Sequence, residues 1–302
     1  MEGVALLLGL AFLRWGGNQH CGDTMKDHLQ KNVDINDPEF VSVIDELSLW
    51  AAPFGLRLLE TITMRRNIQV LDIGPGLGFP LIEIAERLGS SSMVYGIDPW
   101  ERAVERARLK AKVHKLRTVE VLVGEAEHLP FEKERFDLVV SNNGINNVRD
   151  MDQVFRECKR VCKPGAQLVF TLNLEETMKE FYALLQRTLE ERHLDDVLPA
   201  MRAHIHAKRR PLPELTHALT DAGFTVSRIL HDAFRLRFAD GTAMFTHHLV
   251  NYWFLGAWKE FLPPGDCEAI LHQMESTLNA QAQTAGEVVL TIPFATIDCR
   301  RP

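Results

Sequence analysis

The chain is short of basic charge, of paired cysteines and of long apolar runs. Lys and Arg number 34 against 41 Asp and Glu, a net charge of −7 and a pI near 6.0, so no global basic field favours nucleic acid. The five cysteines (Cys21, Cys158, Cys162, Cys267 and Cys299) are an odd count without a C-x-x-C pair. They read as reduced packing thiols of a cytoplasmic protein, with Cys158 and Cys162 on one face of a helix. The apolar run Val4–Leu13 spans ten residues, too few to cross a bilayer. Glu2 and no basic residue precede it, and Asn18-Gln19-His20 ahead of Cys21 is no lipoprotein cleavage box. Residues 1–24 are therefore expected to be a leader outside the fold.

What is present is 46% apolar residues in a chain of 302, enough for a large core. The expectation is one domain over 25–302: a helical lid (25–67), a ligand-binding core (68–172) and a substrate side (173–302). At the centre stands Val70-Leu71-Asp72-Ile73-Gly74-Pro75-Gly76-Leu77-Gly78. It predicts a buried strand (Ile68 to Ile73), a glycine turn, and a helix from Pro80 to Leu88 closed by Gly89. Gly74, Gly76 and Gly78 let a ligand approach the backbone, and the helix directs free N–H groups at it. The dinucleotide fingerprint G-x-G-x-x-G is not met, since Phe79 stands where its third glycine belongs. Asp72 would repel a pyrophosphate and suits a cation.

Here the chain resembles the class I S-adenosylmethionine (SAM)-dependent methyltransferases, whose first motif has this D-x-G-x-G-x-G form. Asp98 ends a second strand (Met93 to Ile97) twenty residues after Gly78, where a βαβ nucleotide fold places an acid on ribose hydroxyls. Capping the helix from Glu101 is its other available role. Pro99 and Trp100 belong to the same ligand-side turn. After a third strand (Val119 to Val123), Gly124-Glu125-Ala126-Glu127-His128-Leu129-Pro130-Phe131 is similar to the family's G-D-A-x-x-L-P-F segment. The resemblance implies that Glu125, replacing the usual Asp, accepts from the adenine amino group and that the Ala126 N–H binds the ring. The fourth strand, Arg135 to Ser141, ends in Asn142-Asn143-Gly144, which should face the sulfonium and orient the ligand's ammonium or the substrate. This tip is not N-P-P-Y, which disfavours amino methylation of DNA bases. A helix (Met151 to Val161), a Lys163-Pro164-Gly165 turn and a fifth strand (Ala166 to Leu172) complete a segment similar to the family's post-motif.

The resemblance is to the branch holding ubiquinone and menaquinone C-methyltransferases, and it covers Val70 to Leu172. It implies a doubly wound, seven-stranded, mostly parallel α/β sheet. It further implies methyl transfer from SAM, giving S-adenosyl-L-homocysteine, to a small organic acceptor by in-line displacement. A SAM-binding regulator without transfer is the rival reading. A monomer or homodimer is expected, with no metal, no nucleic acid and no membrane span.

Outside that core, helices over Asp34–Thr63, interrupted at Pro53, place Trp50 and Phe54 in the lid. A helix is expected over Glu175–Leu198. The basic stretch Arg202, His204, His206, Lys208, Arg209 and Arg210 reads as a solvated face or as a site for an acidic substrate group. A sixth strand (Phe224 to Leu230) is extended through Phe238 and turned by Asp240-Gly241. Met244–Phe261 carries Phe245, Tyr252, Trp253, Phe254 and Trp258, suited to core packing or to a substrate wall. His247 and His248 at its start are the candidate bases, and Trp50, Phe54, Asn143, His247 and Trp253 the candidate acceptor contacts. Glu287–Pro293 is expected as an antiparallel edge strand.

Overall fold

A computed structural model describes residues 49–302. The expected leader at 1–24 and the lid residues Phe40 to Leu47 lie outside the described residues. The first described helix is α1 (Ala51–Thr61). Pro53, expected to interrupt it, sits instead in its first turn, where the missing N–H is not needed. There follow β1 (Gln69–Ile73), α2 (Leu81–Leu88), β2 (Met93–Asp98), α3 (Glu101–Val113), β3 (Val119–Val123), β4 (Phe136–Asn142), α4 (Met151–Val161) and β5 (Cys162–Asn173). The rest comprises α5 (Lys179–Glu191), α6 (Leu198–Lys208), α7 (Leu212–Asp221), β6 (Thr225–Phe238) and α8 (Gly241–Thr246). A π-helical turn (Val250–Phe254), α9 (Leu255–Phe261), α10 (Cys267–Ala285) and β7 (Val288–Arg300) close it.

All seven strands form one sheet in the order β3-β2-β1-β4-β5-β7-β6, parallel except for β7. Alternating side chains divide its two faces. Val70, Val94, Leu138 and Val169 pack under α1, α2 and α3. Leu71, Ile73, Val139 and Leu168 pack against α4 and α7 on the other side. A third apolar cluster joins α5, α6 and α8–α10 to the first half of β7. It carries the acceptor-side helices next to the sheet.

Three expected elements are corrected. First, β7 is not the edge: it lies between β5 and β6, antiparallel to both, and runs on to Arg300. Ala295, Ile297 and Cys299 are fully buried, and Asp298 bonds Gln167 on β5 (2.8 Å) and Arg228 on β6 (3.0 Å), so the segment has partners on either side. Second, the helix expected over Glu175–Leu198 is shortened to α5, followed by a 3-10 turn (Asp195–Val197) that leads into α6. Its first donors are taken by β7, Leu174 N–H by the Pro293 carbonyl (2.9 Å) and Met178 N–H by that of Thr291 (2.8 Å), and His193 at φ +57° ends α5. Third, Asp240 does not turn a strand but caps α8, its Oδ1 accepting from the Ala243 N–H at 2.7 Å.

Cys162 likewise leaves α4 and opens β5. It and Cys158 are buried free thiols, each pushed up by burial above all. Among the described residues no helix is long and apolar enough to cross a membrane, and no three His, Cys, Asp or Glu side chains group as metal ligands.

Candidate functional site

The strand order reverses between β1 and β4, because β2 and β3 lie on one side of β1 and β5 on the other. Crevices beyond the strands' C-terminal ends at such a point are where open α/β sheets take ligands. Here the two strand exits touch: a β-carbon on Gly74 would meet the Gly144 Cα at 3.0 Å. Ser141 Oγ locks the exits together, donating to the Ile73 carbonyl (2.7 Å) and accepting from the Ile145 N–H (3.1 Å).

Asp98 joins the end of β2 to the glycine loop. Its Oδ2 accepts from the Gly76 N–H and its Oδ1 from the Trp100 N–H, both at 2.9 Å. The carboxylate thus fixes the loop and the entry to α3 at once. Burial pushes its carboxyl up to about 6 against the pull of those two donors. The penalty this places on the free fold is absent below the unfolded value near 3.8, grows as pH rises to about 6, and is full above it.

Two cavities meet at Gly74, Gly144 and Asn147. The larger, about 560 Å³, is lined by Gly74, Gly76, Gly78, Asp98 and Trp100, and by Asn142 and Asn143 at the β4 tip. The smaller, about 30 Å³, is lined by Pro99, Glu125 and Ala126. Glu125 is exposed and lies 3.8 Å from Arg149 in an ion pair. A β-carbon on Gly76, at φ +52°, would find nothing within 4 Å.

Asp72 borders neither cavity. It follows Val70 by two residues and so turns to the same face, beneath α2. Both its oxygens are buried without a hydrogen-bond partner. Burial first and the Asp98 charge second hold its carboxyl well above the usual range. Asp72 therefore lies under the sheet, away from both cavities, and does not face a cation at the ligand site as expected.

The β4 tip is tied down by amides. Asn142 Oδ1 accepts from Thr171 Oγ1 (2.9 Å) while its Nδ2 donates to the Ala51 carbonyl (3.1 Å), which joins the tip to α1. Asn143, in the left-handed region at φ +60°, takes the Asn146 amide on its Oδ1. Asn146 also donates to Asn173 Oδ1 at the end of β5 (2.7 Å). The side chain of Asn142 is thereby committed to structure, while the cluster as a whole faces the larger cavity.

On the acceptor side, Trp50 and Trp253 line that cavity but Phe54 does not. Phe54 is fully buried behind Trp50, its ring 5.5 Å from that indole and 4.7 Å from Phe294. His247 and His248 are also off the wall. His247 ends α8, accepts from the Leu249 N–H on Nδ1 (3.2 Å) and leans on Phe238; His248 is exposed and stacks on Tyr252. The break after α8 turns Leu249 inward and both imidazoles outward, so neither is placed to act on a ligand in the cavity.

In their place the wall carries Tyr182, His204, Lys208, Arg209 and Trp258. Of the basic stretch, Arg202 and His206 are exposed and Arg210 pairs with Asp152. His204 is held down to about 4 by burial above all, then by Arg209 and Lys208. It lines the cavity, as His114 also does, and its low value leaves it neutral at physiological pH. The Trp258 Nε1–H donates to Tyr182 Oη at 3.2 Å, and its indole stacks on Phe181. No spacing in the sequence singles these out, because their approach depends on how α5, α6 and α9 pack.

Comparison with known proteins adds three observations. A family model described as "Methyltransferase domain" matches residues 64–233. The demethylmenaquinone methyltransferase of Lactococcus lactis subsp. lactis is 37% identical over 112 residues, 35% of this chain and 44% of that protein. The chain spans about half the length of the curated relatives it matches. Among solved structures, a SAM-dependent methyltransferase from Aquifex aeolicus aligns with a TM-score of 0.50 and 24% identity, covering 64% of this chain and 92% of the other. The cyclase SpnF aligns with a TM-score of 0.51 and 17% identity over 83% and 81%. These two likenesses show the shared fold.

Proposed function

The chain belongs to the methyltransferase-domain family, and from that membership we propose that it binds SAM at the β1/β4 crevice and methylates a small organic acceptor. The observation that carries this reading is the grip of Asp98 on the Gly76 N–H, with both residues opening on one cavity. The residues fit the group. Gly76 leaves a space that any β-carbon would enter, and each Asp98 oxygen keeps a lone pair for a ribose hydroxyl. Pro99, Glu125 and Ala126 border the adjoining recess, the side on which this reading puts the adenine. When bound, SAM supplies a methyl group already activated on a sulfonium. The chain's own part is alignment and exclusion of water, which the rings of Trp50, Trp253, Phe254 and Trp258 around the cavity serve. A cavity of about 560 Å³ suits a small acceptor rather than a polymer. A cytoplasmic location agrees with the free buried thiols.

The test is release of S-adenosylhomocysteine when the protein meets SAM and a library of small acceptors. Tight SAM binding with no product from any acceptor supports the rival reading, a SAM-binding regulator or partner protein.

The Asp98 carboxyl sets the pH dependence of cofactor binding. Ribose hydroxyls donate to its ionised form, so affinity for S-adenosylhomocysteine is expected to be flat above pH 7 and to fall as pH drops through about 6. Calorimetry between pH 5 and 8 reads this, and a pH-independent affinity contradicts it. Trp253→Ala is expected to lower turnover or raise the acceptor KM while SAM affinity stays within about threefold, since the ring serves the acceptor alone. Isothermal titration with SAM beside steady-state kinetics distinguishes that from a loss of cofactor binding.

A further inference from the structure

Among the described residues, the most deeply buried cation on the cavity wall has no carboxylate partner. Arg209 follows α6, is 3% exposed, and lines the larger cavity. Its Nε and Nη1 are buried without a hydrogen bond. Its guanidinium carbon lies 5.2 Å from the centre of the Tyr182 ring, and no described carboxylate pairs with it. Its neighbours are provided for differently. Arg210 pairs with Asp152 and lies 3.8 Å from Glu214, while Lys208, only half-buried, is pushed down by burial first, against which the Glu260 carboxylate acts. Arginine keeps its proton under all physiological conditions, so Arg209 cannot escape by neutralising. A buried cation without counter-ion is unfavourable unless something brings the missing charge.

The open direction is the cavity. There the guanidinium shares the wall with Tyr182, Trp253, Phe254 and Trp258, an aromatic surface for a flat apolar body. His204 on the same wall is neutral and adds no competing charge, but its ring nitrogens can hydrogen-bond. We propose that the methyl acceptor is a flat organic acid whose carboxylate seats on Arg209 against these rings. This rests on the methyltransferase reading and narrows it. A quinone such as the one in the relatives' name carries no carboxylate, so the assignment sets this acceptor site apart from theirs.

The assignment to the acceptor follows from the segment. Arg209, Tyr182 and Trp258 lie beyond β5, outside the stretch from Gly74 to Asn143 that carries the expected cofactor residues on the two cavities. SAM has a carboxylate of its own, and the experiment separates the two. Calorimetry on the full chain, with and without saturating S-adenosylhomocysteine, compares 4-hydroxybenzoate with 4-hydroxybenzamide and 2-naphthoate with 2-naphthamide. Each acid is expected to bind about tenfold or more tighter than its amide, as a charge-assisted bond implies. Arg209→Gln should bring the ratio to about twofold or less while S-adenosylhomocysteine affinity stays within about threefold. Acids that bind no better than amides, or that do not bind at millimolar concentration, overturn the proposal and leave the cofactor reading standing. A large loss of S-adenosylhomocysteine affinity in Arg209→Gln also overturns it, since Arg209 then serves the cofactor's carboxylate. Failure of the wild-type chain to bind S-adenosylhomocysteine overturns the methyltransferase reading instead, whatever the acids do. Should Arg209→Gln not fold, the wild-type acid-to-amide ratio decides.

Discussion

Gly76→Val is expected to abolish SAM binding and leave the fold standing. The added β-carbon finds no protein atom within 4 Å. Its cost to the free protein is the left-handed backbone at φ +52°, about 1–2 kcal/mol for a residue with a β-carbon. That is small against the stability of a domain of this size, about 5–15 kcal/mol. In the cavity the same side chain occupies the space where a ligand must approach the loop, and it crowds the N–H held by Asp98. Calorimetry should show affinity lowered by about 100-fold or more, equivalent to about 2.8 kcal/mol. Circular dichroism should show a melting transition only a few degrees lower. Unchanged SAM affinity in the folded variant refutes the placement of the ligand. Gly74→Ala is the contrasting control: its methyl would meet the Gly144 backbone at 3.0 Å, so its damage falls on the fold itself.

Asp98→Ala should weaken SAM by about 2–3 kcal/mol, the loss of overlapping charge-assisted bonds to two hydroxyls. The geometry adds a second consequence. Removing the carboxylate strands the Gly76 and Trp100 N–H groups, so the free protein should melt lower as well. On the other hand, the variant escapes the penalty of a buried carboxyl, which tempers the drop above pH 6. Ribose binding and capping of the α3 entry, alternatives in the sequence, are compatible in the structure because each oxygen serves a different N–H. A lower melting temperature with affinity nearly intact removes the ribose role.

The core was legible because its signals are local. A run of apolar residues, three glycines at alternate positions and an acid twenty residues on specify a strand, a turn and a second strand whatever surrounds them. Every expected cofactor residue but Asp72 accordingly borders one of the two cavities. Asp72 departs because its position in the strand, odd or even, decides its face, and Val70 under α2 already fixes that parity.

The acceptor side was not legible in the same way. His247 and His248 attract notice by composition, yet the end of α8 points them outward. His204 and Arg209 sit in a run of charges that looks solvated, and Arg209 is among the most deeply buried polar side chains described. The physical reason is the range over which each feature is decided. Backbone conformation and glycine approach depend on residues a few places apart in the chain. Which side of α6 meets water and which meets the cavity depends on α5, α9 and the π-helical turn, separate elements that the chain brings beside it only on folding. Sequence alone determined the parallel strands and the glycine turn at the crevice where the proposed ligand would sit, but not the place of β7 in the sheet. Tertiary packing decided which charge on the cavity wall lacks a carboxylate partner, and it is on this that the proposed acceptor class rests.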